Sequence, residues 1–168
     1  MSLSSKLKNF GMLELLVLLS VVYVVGMLIW TAVTRPAVEA KANQVIENHK
    51  LIVDLINSEI NKCDSGDEAQ KTIWGDPCKD EWIANNILKY INENLKIVNP
   101  YSDDISVKTD SDPRLKAEGK AGQTVEMGVI FLMSKNFNSE PGSEWLVGTC
   151  FKSPCVAAGN NELTSLYR

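Results

Sequence analysis

The sequence contains few of the side chains that catalytic sites usually need. His49 is the only histidine, no glycine-rich phosphate loop follows a predicted strand, and no GxSxG motif is present. A single histidine excludes most acid–base pairs that involve histidine, and cysteines paired in disulfides are not nucleophiles. Carboxylates are plentiful, but no spacing places two of them around a cleft. We therefore expect a protein that is not an enzyme and that uses no cofactor.

The chain also lacks an excess of positive charge. Its 168 residues carry 17 Lys and Arg against 21 Asp and Glu, which gives a formal net charge of −4. Nucleic-acid-binding domains have clustered basic residues. The composition therefore does not indicate a nucleic acid partner, and it leaves open only weak contact through a local basic spot.

The most informative absence is that of charge between Leu15 and Val33. This run belongs to the apolar stretch 10–33, FGMLELLVLLSVVYVVGMLIWTAV, whose only charged residue is Glu14. A helix needs about 20 mostly apolar residues to cross the hydrocarbon core of a bilayer. A carboxylate in such a span costs about 2.5–3.5 kcal/mol unless a partner offsets it. Glu14 is therefore a candidate functional residue, and we ask what pairs with it.

Residues 1–9, MSLSSKLKN, form a short leader that carries Lys6 and Lys8 and no acid. Cations before the first apolar run hold that end of a chain in the cytoplasm, so the remainder is delivered to the far side. The run itself has three interpretations: a cleaved secretory signal, a permanent anchor, or a span that later changes its environment. Signal peptides have shorter apolar regions of about 7–15 residues, but Val38-Glu39-Ala40 offers a small-x-small cleavage pattern before Lys41.

Four cysteines all follow the apolar run: Cys63, Cys78, Cys150 and Cys155. An even number of cysteines after an export-type segment predicts two disulfides formed in an oxidising compartment. Three pairings are possible, and the simplest joins sequence neighbours, Cys63 to Cys78 and Cys150 to Cys155. A zinc site is not expected, because no CxxC pair is present and the only histidine is far away in the sequence.

A helical pattern continues after the apolar run, with a possible boundary or kink at Pro36. Its positions follow one another at steps of four and three residues, which is close to a heptad stripe. The stripe must pack against another element, most simply a sheet of the same chain, and its histidine should be an edge or core residue with a polar partner. The positions are Val38, Ala42, Val45, His49, Ile52, Ile56 and Ile60.

The remaining elements predict an α+β fold. Asp76-Pro77 has the residue types of a helix N-cap and first turn, which predicts a second helix over about Pro77–Leu95. After it come three predicted strands, Ile105–Thr109, Gln123–Ser134 and Glu144–Phe151, and the continuous apolar centre of Gln123–Ser134 suits burial on both faces. The tail after Cys155 is polar with a weakly apolar end.

Two loops are candidates for the outer surface of the protein. The first is the polar segment Asp110–Gly122, and the second is the loop between Cys150 and Cys155. They carry Lys116, Lys120 and Lys152, which we interpret as solvated surface lysines rather than an anion site.

Taken together, these residues resemble the type IV pilin family. The resemblance rests on the basic leader, on Phe10 with Glu14 four residues later, and on the run Leu15-Leu16-Val17-Leu18-Leu19 that follows. It continues in layout through the amphipathic half of the helix, an antiparallel sheet and a late disulfide loop. The resemblance implies a long N-terminal helix packed on a small antiparallel β-sheet, in a structural subunit of an extracellular filament.

The resemblance also implies specific roles and partners. A prepilin peptidase would remove the leader between Asn9 and Phe10, Phe10 would be methylated as the new first residue, and Glu14 would act in assembly. The implied partners are other copies of the chain in a helical filament, the inner membrane before assembly, and the pilus assembly machinery. The expected location is the inner membrane for the precursor and an extracellular pilus on the cell surface afterwards.

The sequence departs from the family pattern at two points. The family's leader normally ends in glycine, whereas Asn9 precedes Phe10 here and the glycine is Gly11. Cleavage after Gly11 would leave Met12 first and would place Glu14 third. The proline usually found within the apolar helix is also missing, and only Gly26 offers a weak point.

The expected organisation is a leader at 1–9, a membrane and filament-core segment at 10–35, and an extracytoplasmic globular domain at 36–168. Two alternatives to a major filament subunit stay open. One is a minor pilin or a type II secretion pseudopilin, which belongs to the same assembly class. The other is a membrane-anchored or secreted binding module stabilised by disulfides.

Overall fold

The computed structural model describes residues 11–66, 70–102, 104, 106–109, 112, 126–134 and 144–167. The chain divides into two compact units, Met1–Ala40 and Lys41–Arg168. The first is helical in all its described residues after Gly11, and the second holds the sheet and the hydrophobic core.

Helix α1 runs over Met12–Ser65, a length of 54 residues. It contains Pro36, where the sequence allowed a boundary, but the helix continues on both sides of it. Proline has no N–H, so the carbonyl of Ala32 loses its usual donor at this point. The prediction of one long helix with an apolar half and an amphipathic half is confirmed.

The amphipathic half of α1 buries the predicted stripe from Ala42 onwards, within the second unit. Val38, at its start, is 48% exposed, so the stripe begins one step later, at Ala42. An isoleucine that leaves water on folding contributes roughly 1.5–3 kcal/mol, so the stripe is a large part of the core. The buried members are Ala42, Val45, His49, Ile52, Ile56 and Ile60.

A four-stranded sheet packs against α1 in the second unit. Its strands are β1 (Val107–Lys108), β2 (Ile130–Ser134), β3 (Glu144–Cys150) and β4 (Asn161–Tyr167), and they lie in that order. The pairs β2–β3 and β3–β4 are antiparallel. The pair β1–β2 is parallel, so the sheet is mixed and the prediction of an antiparallel sheet was wrong. A parallel pair needs a crossover connection of a dozen or more residues, and the sequence between β1 and β2 is long enough to provide one.

The strand predictions were right for the centre of the sheet and incomplete at its edge. The segment Glu144–Phe151 corresponds to β3, and every residue of β2 is buried, as expected for a strand covered on both faces. Strand β1 is shorter than Ile105–Thr109, and of the described residues in Gln123–Ser134, which are 126–134, the strand takes the last five. Strand β4 was not predicted at all.

The second helix begins later than the sequence indicated. Helix α2 covers Ala84–Tyr90 and continues as a π-helical turn over Ile91–Leu95. The Asp76 carboxylate does not cap the residues next to it. Instead it accepts hydrogen bonds from the Ile83 amide at 3.0 Å and the Asn86 side-chain amide at 2.5 Å, so it organises a helix start seven residues downstream. The predicted start at Pro77 was therefore wrong.

The core of the second unit joins one face of the sheet to α1 and α2. Its largest fully buried side chains are the indoles of Trp82 and Trp145, and it includes the aliphatic residues of three elements. These are Ile52, Ile56 and Ile60 from α1, Ile87 from α2, and Ile130, Leu132, Val147 and Leu166 from the sheet.

Candidate functional site

The acid predicted to act in assembly closes the first turn of α1. The Glu14 Oε2 atom accepts a hydrogen bond from the Gly11 amide at 3.1 Å, while the Gly11 carbonyl accepts the amide of Glu14 at 3.0 Å and that of Leu15 at 3.2 Å. Gly11 thus occupies the N-cap and Glu14 the third helical position. This is the carboxylate half of a capping box, and it places a negative charge at the positive end of the helix dipole.

The first unit exposes its apolar side chains on all sides. Every residue from Gly11 to Val33 is exposed, and this stretch contains no charge other than that of Glu14. By length and composition, α1 is able to cross a membrane. A helix that is hydrophobic all round needs apolar surroundings, which a bilayer or a bundle of similar helices provides.

The serine and threonine hydroxyls among the described residues of the first unit bond within the helix. Each donates to a carbonyl three or four residues earlier, which is a common way to satisfy a hydroxyl in an apolar medium. The pairs are Ser20 with Val17 at 2.8 Å, Thr31 with Leu28 at 3.0 Å, and Thr34 with Trp30 at 2.8 Å. Among the described polar side chains of the apolar run, the Glu14 carboxylate is therefore the one that calls for a charged partner.

A shallow groove runs along the same side of the helix as Glu14. Its walls are one acid and five aliphatic side chains, spaced so that a neighbouring helix can lay its own ridge between them. They are Leu13, Glu14, Val17, Leu18, Val21 and Val22.

Both predicted disulfides are present, in the sequence-local pairing. Cys63 is bonded to Cys78 with their Cα atoms 5.1 Å apart, and Cys150 is bonded to Cys155 with a Cα separation of 5.5 Å. No free cysteine is found in the described chain.

The loop after α1 is held by polar contacts as well as by its disulfide. The Glu59 carboxylate accepts the Ile73 amide at 2.9 Å and the Lys62 ammonium at 3.1 Å. The same ammonium donates to the Lys71 carbonyl at 3.0 Å. Glu59 is almost fully buried, but these partners satisfy its charge, so it is a structural acid rather than a functional one.

The loop from Cys150 to Cys155 leads into β4 through asparagine side chains. Asn160 Nδ2 donates to the Pro154 carbonyl at 3.0 Å, and Asn161 Nδ2 donates to the Cys155 carbonyl. Ser153 and Pro154 are exposed and Lys152 is half-buried, so part of this predicted outer surface does reach solvent. Of the other predicted surface loop, Asp110–Gly122, only Asp112 lies within the described residues; Lys116 and Lys120 do not.

His49 has the polar partner that the sequence predicted. Its Nε2 atom lies 3.0 Å from the Thr164 Oγ1 atom of β4, and its side chain is almost fully buried. Burial lowers the pKa of His49 from 6.5 to about 4, because the charged imidazolium loses its hydration. The residue is a neutral core histidine that ties α1 to the last strand.

Tyr101 forms a connection that the sequence did not reveal. Its hydroxyl donates to the Phe151 carbonyl at 2.5 Å, and the Lys41 ammonium lies 5.6 Å from the centre of its ring. Burial also raises the pKa of the Tyr101 phenol above 10.0. Tyr101 therefore fixes the start of the disulfide loop.

The structure describes some of the predicted site residues and not others. Glu14, Gly11 and Met12 meet in one helical turn, whereas Asn9 and Phe10, the predicted cleavage pair, lie outside the described residues. The four cysteines form two separate staples within the second unit. In comparisons with known proteins, the chain matches no family model, no curated protein and no solved structure.

Proposed function

We propose that this protein is a structural subunit of a type IV pilus-like extracellular filament. The observation that carries the proposal is the apolar run at the start of α1, residues 11–33, which is exposed all round and whose only charge is that of Glu14. Such a surface suits two successive environments, a bilayer before assembly and a bundle of identical helices afterwards.

The proposed assembly step gives the Glu14 carboxylate a charged partner. In a helix bundle, the carboxylate of one subunit meets the positive amino terminus of a neighbour after the leader has been removed. Two unit charges about 4 Å apart attract by about 4 kcal/mol at an effective dielectric constant of 20. A subunit that docks out of register leaves a buried charge without its partner, so the pair favours correct stacking.

The Gly11–Glu14 hydrogen bond leaves the carboxylate able to bind the amino terminus of a neighbour. In the single subunit, one carboxylate oxygen is occupied by the subunit's own first turn. A carboxylate has further acceptor sites, so a neighbouring ammonium can bind without breaking that bond. Cleavage between Asn9 and Phe10 keeps the Gly11 amide in place, whereas cleavage after Gly11 removes it.

The first experiment asks where the mature chain begins and in what form it leaves the cell. The full chain is expressed in a bacterium with a pilus assembly system, the cells are sheared, and the released material is imaged and sequenced from its N-terminus. We expect thin filaments and a first residue at Phe10 or at Met12. A released, non-filamentous protein would contradict the proposal.

The proposal leaves the abundance of the subunit open. A minor pilin or a type II secretion pseudopilin would use the same helix and the same acid. Quantifying the chain in purified filaments distinguishes a principal component from a rare one.

A second candidate is a membrane-anchored or secreted binding module. The observation in its favour is that the unit beginning at Lys41 has its own hydrophobic core and both disulfides. Against release by signal cleavage, Val38, Glu39 and Ala40 are helical. In the same sequencing experiment, a first residue at Lys41 would favour this module and would separate Glu14 from the mature protein.

A further inference from the structure

Strand β4 forms one edge of the sheet in the second unit. It pairs with β3 on one side, and in the part of the chain that the structure describes no strand pairs with its other side. The strand is firmly placed, because Leu166 lies in the core and Thr164 contacts His49. A rigid strand with an open edge is a template for another strand.

The hydrogen bonds at the end of the β3–β4 ladder show which backbone groups of β4 face outward. The Phe151 amide donates to the Asn160 carbonyl at 2.9 Å, and this pair continues the ladder register one step beyond Cys150 and Asn161. Hydrogen-bonded and non-hydrogen-bonded pairs alternate in an antiparallel ladder. The Cys150 carbonyl obeys this alternation, since it accepts the Gly128 amide on the opposite side. The outward N–H and C=O groups therefore belong to Asn161, Leu163, Ser165 and Tyr167.

The side chains of these residues leave the edge accessible. Leu163 is 39% exposed, Tyr167 is 68% exposed, and Ser165 is also exposed. The strand sequence, NELTSLY, contains no proline and no lysine, the residues that commonly block pairing at an edge. Glu162 is the one charged side chain of the strand, so a pairing register has to keep it away from a like charge.

We propose that the open edge of β4 pairs antiparallel with β4 of a second copy of this chain, with Thr164 opposite Thr164. This register uses all seven residues and brings the outward groups of Leu163 against those of Ser165 in the other copy. Glu162, the only charged residue of β4, then faces Leu166 of the second copy. In this register no like charges lie opposite each other, so the single charge of the strand does not oppose pairing with an identical strand.

The proposed β4–β4 ladder contains few residues, and this determines which experiment can detect it. Seven residues at about 3.4 Å each give a ladder of roughly 24 Å, and a contact of this size is weak and transient on its own. Covalent trapping in a defined register is therefore more informative than an equilibrium mass measurement, in which contacts between the apolar helices would also contribute.

The test uses two cysteine variants of the full chain in detergent micelles, Leu163→Cys and Ser165→Cys. In the proposed register each introduced cysteine faces the other variant's position, at a hydrogen-bonded pair with Cα atoms about 5.5 Å apart, which permits a disulfide. In a pair of identical variants the two cysteines are two residues out of register, which is too far apart for a disulfide. After mild oxidation, a mixture of the two variants should give cross-linked dimer on a non-reducing gel, and each variant alone should give little.

A matched pair of substitutions shows that strand pairing is responsible. Ser165→Pro, introduced into the Leu163→Cys chain, removes an outward N–H without removing a bond to β3, because proline is tolerated where an edge N–H faces solvent. With the Ser165→Cys partner it should lose the cross-link, whereas Ser165→Ala in the same chain should retain it. Equal cross-linking in the mixture and in the single variants, or no cross-linking in the mixture, overturns the proposal. A strand of another protein at this edge would give the second result.

Discussion

The Nε2 atom of His49 lies 3.0 Å from the Thr164 hydroxyl, and this contact joins the middle of α1 to the last strand of the sheet. The two residues are separated by 115 positions in the sequence. Because burial favours the neutral form of the imidazole, protonation of His49 destabilises the fold in acid.

The first prediction concerns this pH dependence. Burial lowers the pKa of His49 to about 4, whereas the unfolded chain has the ordinary value of 6.5. The unfolded state therefore binds more protons below pH 6.5, so the contribution of His49 is fully present above that pH and is lost as the pH falls towards 4. The full loss is about 3 kcal/mol. Denaturant unfolding of the full chain in micelles, at pH values from 7 to 4, measures it.

The matched variant for this experiment is His49→Gln. Glutamine keeps a polar group that can bond to Thr164 but does not titrate, so the variant should be less stable at pH 7 and should lose less stability on acidification. Carboxylates titrate in both proteins, and the difference between the two curves isolates the histidine. Parallel curves would contradict a buried neutral imidazole.

The second prediction concerns the Tyr101 hydroxyl, which donates to the Phe151 carbonyl at 2.5 Å. Tyr101→Phe removes the donor and leaves that carbonyl without it. We expect a loss of about 1 kcal/mol in unfolding free energy and faster hydrogen exchange in the loop between Cys150 and Cys155. Tyr90→Phe is the control, because no hydrogen bond of the Tyr90 hydroxyl is found in the described chain. Equal effects of the two substitutions would show that the Phe151 contact contributes nothing specific.

The third prediction compares the two disulfides. The bridge between Cys63 and Cys78 closes a loop with a sequence separation of 15, and the bridge between Cys150 and Cys155 closes one with a separation of 5. On the chain-entropy model, removing the first costs about 3 kcal/mol and removing the second about 2 kcal/mol. Double Cys→Ser variants, compared by denaturant unfolding, measure both values.

The two disulfides should also differ in what happens to the folded state. Without its bridge, the loop after α1 keeps the contacts of Glu59 with Ile73 and of Lys62 with Lys71, so we expect its native hydrogen exchange pattern to persist. A pattern that collapses throughout this loop would mean that the bridge, and not these contacts, holds the loop in place.

The sequence predicted the elements whose signal is local. A charge-free run and a stripe with steps of three and four residues are enough to identify α1, and four cysteines after such a run are enough to predict two bridges. Glu14 was found for the same reason, because one acid in an apolar helix is conspicuous. Its hydrogen bond to Gly11 follows from its place at the third helical position.

The elements that the sequence did not predict depend on partners far away in the chain. In β4 the leucines Leu163 and Leu166 are three residues apart, which is not the alternation typical of a strand. The polar side chain of Thr164 faces the core because it contacts the His49 imidazole there. The start of α2 depends on Asp76, whose carboxylate bonds a helix seven residues ahead instead of the adjacent turn. The parallel pairing of β1 with β2 cannot be predicted from the two residues of β1 alone.

The last prediction concerns Glu14 and follows from the proposed assembly. Glu14→Ala removes the only charge of the apolar run 10–33. The subunit should remain membrane-inserted, because placing the run in a bilayer without the acid costs about 2.5–3.5 kcal/mol less. It should, however, lose the partner for a neighbouring amino terminus, and we expect a strong reduction of the chain in sheared filaments. The measurement is the ratio of chain in filaments to chain in membranes.

Ser20→Ala is the control, because the Ser20 hydroxyl bonds only to the Val17 carbonyl of its own helix. Both variants alter one polar side chain on the same exposed helix, so a shared defect would point to altered helix packing and a defect confined to Glu14→Ala would point to its charge.

Glu14→Gln separates the charge from the bond to the Gly11 amide, since glutamine retains an acceptor oxygen. If the charge matters, Glu14→Gln fails in assembly like alanine, although its first helical turn stays closed. Abundant normal filaments from either Glu14 variant would exclude the electrostatic role that we propose for this residue.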